Sequence, residues 1–315
     1  MHLFDPPPPA AGGSGSDPEL DKVAQHLLGL DPDGSRFAAA VRRTFDMILD
    51  GKNTGRYRWD QLYKTEKTHF GTVVEINLQR EFDFEGGEDL DYRICGIDVD
   101  CKYSQKRGSW MIPPEAVGKL CLVLWASDAE SQWWAGLIRA DEKVLNGGSN
   151  RDAKRTLNKE GRASVRWLFS EASLPANALL YLAPGDVEAI FAPKHGTKRV
   201  DELFRRAQGT IIRRAVVATV AKQEDYMKRV RGNGGSRSSL RSEGIIILGH
   251  YTEHSVIAQK LGLPVPGSGE FVSTRVVSTD ERQEGSARKV SIDGGWWRVA
   301  SATDPVETAP LLPKV

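Results

Sequence analysis

Asp91, Asp100 and Lys102 lie within twelve positions of one another, in a stretch that reads as a β-hairpin: Asp91-Tyr-Arg-Ile-Cys-Gly-Ile-Asp98-Val-Asp100-Cys101-Lys102. Strand alternation puts Ile97, Val99, Cys101 and Tyr103 on one face and Asp98, Asp100 and Lys102 on the other. If the entering strand brings Asp91 alongside Asp100, two carboxylates meet beside an ammonium, which is costly unless a cation or a substrate compensates. Mg²⁺ is the usual compensator for such oxygen ligands. Two acids holding Mg²⁺ with a lysine nearby suit hydrolysis of a phosphodiester. The metal polarises the phosphate and acidifies a water, while the lysine orients that water or offsets developing charge. The plain alternative is a solvated hairpin face in a charge-rich chain.

Elements on both sides must hold this hairpin. Upstream, residues 70–80 read as a helix with Val74 and Leu78 turned toward it, which makes Glu75 a third candidate acid. Downstream, Leu120 to Trp125 and Gln132 to Ile138 read as two apolar strands that extend a sheet, with Trp133 and Trp134 in its core. Between them Ser104 to Ser109 form a basic turn in which Lys106 and Arg107 are placed for DNA contacts. The Gly-rich loop Asn146 to Arg151 precedes a helix expected over 152–159. Ahead of all these, Asp17-Pro18 opens one helix and Ser35 caps a second. The second ends in Ile48-Leu-Asp-Gly51, similar to the Lys-x-Asp-Gly motif of nucleotidyl-transferring DNA ligases. Isoleucine at the lysine position cannot form the covalent nucleotide, so ligase activity is excluded; Lys52, Asn53, Thr54 and Arg56 remain candidates for phosphate contact.

Length favours two domains. A formal charge of +1 gives no global sign of nucleic-acid binding, so any such footprint must be local. The three cysteines lack metal-like spacing and point to free thiols in a reducing, cytoplasmic setting. No signal peptide or membrane-spanning run is expected.

The local footprint appears in the second half. Between Lys194 and Arg241 basic residues outnumber Asp201, Glu202, Glu224 and Asp225. A helix over 219–231 would group Lys222, Tyr226 and Arg229 opposite Val220, Gln223, Met227 and Val230, as a major-groove recognition helix requires. Arg231 and Arg237 follow in the Gly-rich loop, and strands are expected at 245–248 and 271–277. This order suggests a winged helix-turn-helix. A rival signal, His250-Tyr-Thr-Glu253-His254, matches the inverted zinc-protease pattern. It falls at a strand-to-helix turn, where both histidines cannot share a helical face.

Four long motifs, Thr72 to Phe82, Asp91 to Gln105, Lys198 to Arg206 and Arg229 to Arg237, closely resemble the NaeI-type restriction endonucleases, within a likeness running from about Phe37 to Trp297. The resemblance implies an α/β (α+β) chain with a PD-(D/E)xK restriction-endonuclease-like domain, its mixed sheet flanked by helices, and a carboxy-terminal winged-helix DNA-binding domain. It implies a Mg²⁺-dependent type II (IIE) enzyme of a restriction-modification system. Such an enzyme is a homodimer that cuts duplex DNA at a GC-rich palindrome and binds a second copy as effector. Glu75, Asp91, Asp100 and Lys102 match the family's catalytic positions, with Asp91, Asp100 and the Cys101 carbonyl as metal ligands. Leu90 stands where proline usually precedes the first acid, a change with no chemical consequence. The expected division is a disordered tail over 1–16, the nuclease domain over 17–170, a linker over 171–178, the effector domain over 179–304 and a disordered tail over 305–315. Two other readings compete: a DNA-binding regulator with a vestigial nuclease domain, and a zinc hydrolase built on His250, Glu253 and His254.

Overall fold

The computed structural model describes residues 17–232, 234–280 and 288–313, so the amino-terminal tail expected through Ser16 lies outside the described residues. The chain divides into two compact units, Met1–Ile48 with Leu62–Ala176 and Leu49–Gln61 with Asn177–Val315.

The first unit is built on a six-stranded mixed sheet flanked by helices. Helices α1 (Pro18–Leu30) and α2 (Ser35–Leu49) open it, α3 (Gly51–Thr54) belongs to the second unit, and α4 (Lys64–Phe82) returns. Then follow β1 (Glu85–Gly86), β2 (Tyr92–Ile94), β3 (Ile97–Tyr103), β4 (Met111–Ile112), β5 (Leu120–Ser127), β6 (Gln132–Arg139), β7 (Arg155–Thr156), α5 (Lys159–Ala163) and β8 (Arg166–Ser173). The order is β1-β2-β3-β5-β6-β8, with β3 and β5 parallel and every other pair antiparallel. Successive residues of β5 and β6 point to opposite faces and both faces are covered, which is why these strands read as continuous apolar runs. Trp133 lies 5.8 Å from Phe37 of α2, and Tyr103 lies 4.4 Å from Phe70 of α4, ring to ring. Trp134 turns the other way, into a cluster with Trp110, Trp125, Cys121, Val123 and Ile138.

Three expectations need correction here. No helix covers 152–159: Ala153 sits at φ 57°, β7 pairs with β4, and α5 begins after Asn158, whose side chain accepts from the Gly161 N–H at 2.8 Å. The expected linker begins too early, because β8 continues through Ser173 and the Leu174 N–H donates to the Ser131 carbonyl at 2.8 Å. Residues 49–61, assigned by position to the first domain, pack into the second unit. There Gly51 approaches α8, introduced below, so closely that a Cβ would fall 2.0 Å from Thr219 Oγ1.

The second unit contains α6 (Pro184–Phe191), α7 (Gly196–Arg206), β9 (Ile212–Arg213), α8 (Arg214–Ala221), α9 (Ser236–Ser239), β10 (Ile245–Gly249), α10 (Thr252–Leu261), β11 (Glu270–Thr279), β12 (Lys289–Ile292) and β13 (Gly295–Val299). Strands run in the order β10-β11-β13-β12, and β9 also pairs with β11; all pairings are antiparallel. The helix expected over 219–231 is absent. Helix α8 stops at Lys222, which adopts a left-handed conformation (φ 51°), and a 3-10 turn at Tyr226–Arg229 follows. That turn still delivers Tyr226, Met227 and Val230 to the core shared with Val216, Val217 and Val220. Apolar spacing thus mimics a helix that the backbone does not form. Residues 305–313 are not a loose tail: Ala309 is fully buried, exchanges hydrogen bonds with Arg241, and Leu312 packs on the core of β10 and α10.

Candidate active site

The hairpin is fixed by its turn. Cys95 and Gly96 both have positive φ, 54° and 79°, the two-residue turn whose twist matches that of its strands. Ile94 then pairs with Ile97, Arg93 with Asp98 and Tyr92 with Val99, so the next pair outward is Asp91 with Asp100. The Tyr92 hydroxyl donates to the Glu75 carbonyl at 2.8 Å and ties α4 to the hairpin.

Four groups converge there. Asp91 Oδ2 accepts from the Cys101 N–H at 2.7 Å. Lys102 Nζ donates to Asp100 Oδ1 at 2.7 Å, to the Cys101 carbonyl at 2.9 Å and to Asp91 Oδ2 at 3.3 Å. Asp100 faces the Cys121 side of the sheet and is only 3% exposed, so the polar face is covered as well as the oily one. Burial pushes its carboxyl up to about 7, opposed by Lys102 and reinforced by Asp91. Burial works against the Lys102 ammonium too, but Asp100 and Asp91 outweigh it and hold the proton more firmly than usual. Glu75 is half-buried; burial first and Asp91 second raise its pKa, with Lys102 opposing.

This donor set fits Mg²⁺. Two carboxylates and a main-chain carbonyl are hard oxygen ligands, and a single ammonium touches all three, so they converge on one cation-sized point. Among the described residues no three His, Cys, Asp or Glu side chains form a metal-holding group; the third oxygen that Lys102 touches is the Cys101 carbonyl. Cys101 and Cys121 are buried thiols whose pKa values burial pushes up, and neither is suited to act as a thiolate ligand.

The residues expected to bind DNA are dispersed. Lys106 is exposed in the turn after β3, and the Arg107 guanidinium lies 4.5 Å from the Trp134 ring and 5.8 Å from that of Trp125. Arg56 belongs to the second unit and donates to the Leu49 carbonyl at 3.3 Å. Lys222 is exposed, whereas Tyr226 packs on the core and Arg229 is engaged with Gln223 and Asp225. Without the 219–231 helix these three share no helical face. Arg231 is exposed, and Arg237 is half-buried with Nε donating to the Ile247 carbonyl at 2.9 Å. Much of the basic surplus is satisfied internally: Arg205 pairs with Glu202 and Glu243, Arg206 with Asp186 and Glu202, and Arg199 donates to the carbonyls of Val220 and Ala221. His250 precedes α10 and His254 lies within it, its Nδ1 accepting from the Gly249 N–H at 3.1 Å, so the two do not share a helical face.

One buried charge pair escaped sequence reasoning. Arg42 of α2 is fully buried against Asp128, in the turn between β5 and β6, and also reaches Asp46. Only the i,i+4 spacing to Asp46 was visible in the sequence. Its tie to Asp128 is tertiary.

The family model for restriction endonuclease NaeI matches residues 21–308. The chain is also 52% identical over 306 residues, 95% of each chain, to the type II restriction enzyme NaeI of Lentzea aerocolonigenes. With its hairpin of acids and lysine set in a mixed sheet flanked by helices, the chain belongs to the NaeI family of restriction endonucleases.

Proposed function

We propose that the protein is a type II enzyme that hydrolyses phosphodiester bonds of duplex DNA with Mg²⁺ held by Asp91, Asp100 and the Cys101 carbonyl. The observation that carries this reading is the convergence of those three oxygens on one ammonium. When bound, Mg²⁺ supplies a Lewis acid for the phosphate and lowers the pKa of the attacking water. With an ion held by those three oxygens, the Lys102 ammonium, which touches all of them, would be placed to orient the attacking water and offset charge on the phosphate. Glu75, with its raised proton affinity, assists beside Asp91 as a proton acceptor for the attacking water. The buried surroundings of Asp100 strengthen each of these interactions.

The second unit is read as the winged-helix domain that binds effector DNA. In support, α7 precedes β9, α8 follows it, α9 leads into β10, and β9, β11 and β10 pair in the antiparallel order of that fold. The recognition helix then corresponds to α9 with the 3-10 turn Arg241–Glu243, which carries exposed Ser238 between half-buried Arg237 and Arg241. The family suggests GCCGGC as target, a homodimer as the working form and stimulation by a second site. Among the described residues no helix is long and apolar enough to cross a membrane, and the reading places the enzyme in the cytoplasm of a cell with a restriction-modification system. The alternative, a DNA-binding regulator with a vestigial nuclease domain, would not need the acids and lysine held in contact.

Cleavage of plasmids with and without GC-rich palindromes, in Mg²⁺ or EDTA, tests the reading. Discrete fragments should appear only with sites and Mg²⁺, and Asp100→Ala should lose on the order of 10³-fold in rate while still binding DNA. Binding without any cleavage by the wild type would favour the regulator.

A further inference from the structure

A cavity of about 710 Å³ opens in the second unit between α9, β10, α10 and the segment 310–313. Arg231, Arg237 and Arg241 line it together with Ser238, Tyr251 and His254, and isoleucines 245–247 form its apolar floor. Among the described lining residues there is no carboxylate. Three guanidinium groups with no carboxylate among the described lining residues, over a floor of low dielectric, focus positive potential into the cavity.

Two buried donors on the residues that line this space lack a well-formed hydrogen bond. His254 is 1% exposed and its Nδ1 accepts from the Gly249 N–H, so the neutral ring keeps its proton on Nε2. Neither that Nε2 nor Nη2 of Arg237 has a partner in good hydrogen-bond geometry, although the Pro313 carbonyl approaches the ring and the Tyr251 side chain the guanidinium, whose Nε is anchored on the Ile247 carbonyl. Burial first and the Arg237 charge second push the ring down to about 4, while Glu253 and the Pro313 main chain pull the other way. Buried donors are nearly always satisfied, and a pair so placed on the lining of one cavity points to an acceptor from outside. A water could satisfy one donor but not the charge of three guanidinium groups.

We propose that this cavity binds a phosphate group, with oxygens accepting from Arg237 Nη2 and His254 Nε2 while Arg231 and Arg241 supply charge. A phosphate offers several acceptor oxygens and more than one negative charge, which suits guanidinium forks. The volume exceeds that of a phosphate alone, so the group arrives on a larger molecule, either as a backbone phosphate of DNA or as a free phosphomonoester. Only the DNA source rests on the proposed role of the second unit.

The test is titration of the full chain with inorganic phosphate at fixed ionic strength, followed by calorimetry and by the thermal midpoint. Wild type should bind one equivalent saturably, and Arg237→Gln and Ser238→Glu should each weaken binding at least tenfold. Ser238 is exposed on α9, so the glutamate adds charge at the cavity without disturbing the core and decides the matter if Arg237→Gln does not fold. Displacement of phosphate by a duplex oligonucleotide confirms the site and assigns it to DNA. Duplex bound without displacement confirms it for a free phosphomonoester. No saturable phosphate binding by wild type, or equal binding by Ser238→Glu, overturns the proposal. DNA binding that persists in that case leaves the role of the second unit intact, and phosphate binding without DNA binding removes only that role.

Discussion

The two units bury charge in opposite ways. In the first, the Lys102 ammonium is held by three oxygens, and Arg42 is held by Asp128 and Asp46. In the second, Arg237 and His254 carry buried donors on the lining of a cavity with no acid on its described walls. Interior charge requires a partner, so the sign of the partner that a site lacks indicates its ligand. Carboxylates that borrow a lysine are matched to a cation, and guanidinium groups without carboxylates are matched to an anion.

Breaking a compensated pair in the first unit should have the largest effect on stability. Asp128→Ala strands Arg42 in the core and should cost about 3–5 kcal/mol, read as a lower urea midpoint. A loss near zero would mean that Asp46 alone satisfies the guanidinium. In the second unit the open donors should show in pH dependence. The unfolded His254 titrates near 6.5 and the folded one near 4. Keeping the ring neutral therefore contributes fully above pH 6.5, and that contribution fades as pH falls toward 4. The loss should reach at most about 3 kcal/mol, and urea midpoints of His254→Gln should fall less steeply over this window. Parallel profiles would show that the ring does not titrate there. The smallest effect is expected at exposed Arg231, where Arg231→Ala should reduce the salt slope of DNA binding by about 1; an unchanged slope would separate it from phosphate.

What could be read from the sequence differs between the units for the same physical reason. The hairpin at 91–103 was legible because its determinants are local: a two-residue turn at Cys95-Gly96 and strict alternation through Val99, Asp100 and Cys101. Helix α4 and strands β5 and β6 were legible from apolar runs and period. The 219–231 helix was misread because Val220, Met227 and Val230 reach one core through a left-handed Lys222 and a 3-10 turn, and apolar spacing does not register that break. The placement of residues 49–61 depends on Gly51 meeting Thr219, and that of 305–313 on Ala309 meeting Arg241. No local pattern encodes such long-range contacts. The basic surplus beyond Lys194 was visible as composition, but which arginines are already paired was not.

The matching of the hairpin to a cation is tested most directly by calorimetric titration of wild type, Lys102→Met and Asp100→Asn with Mg²⁺. If the ammonium occupies the point where the ion binds, Lys102→Met should bind Mg²⁺ at least as tightly as wild type while losing DNA cleavage, and Asp100→Asn should bind at least tenfold more weakly. Loss of Mg²⁺ binding in Lys102→Met, with Asp100→Asn unaffected, would contradict that placement.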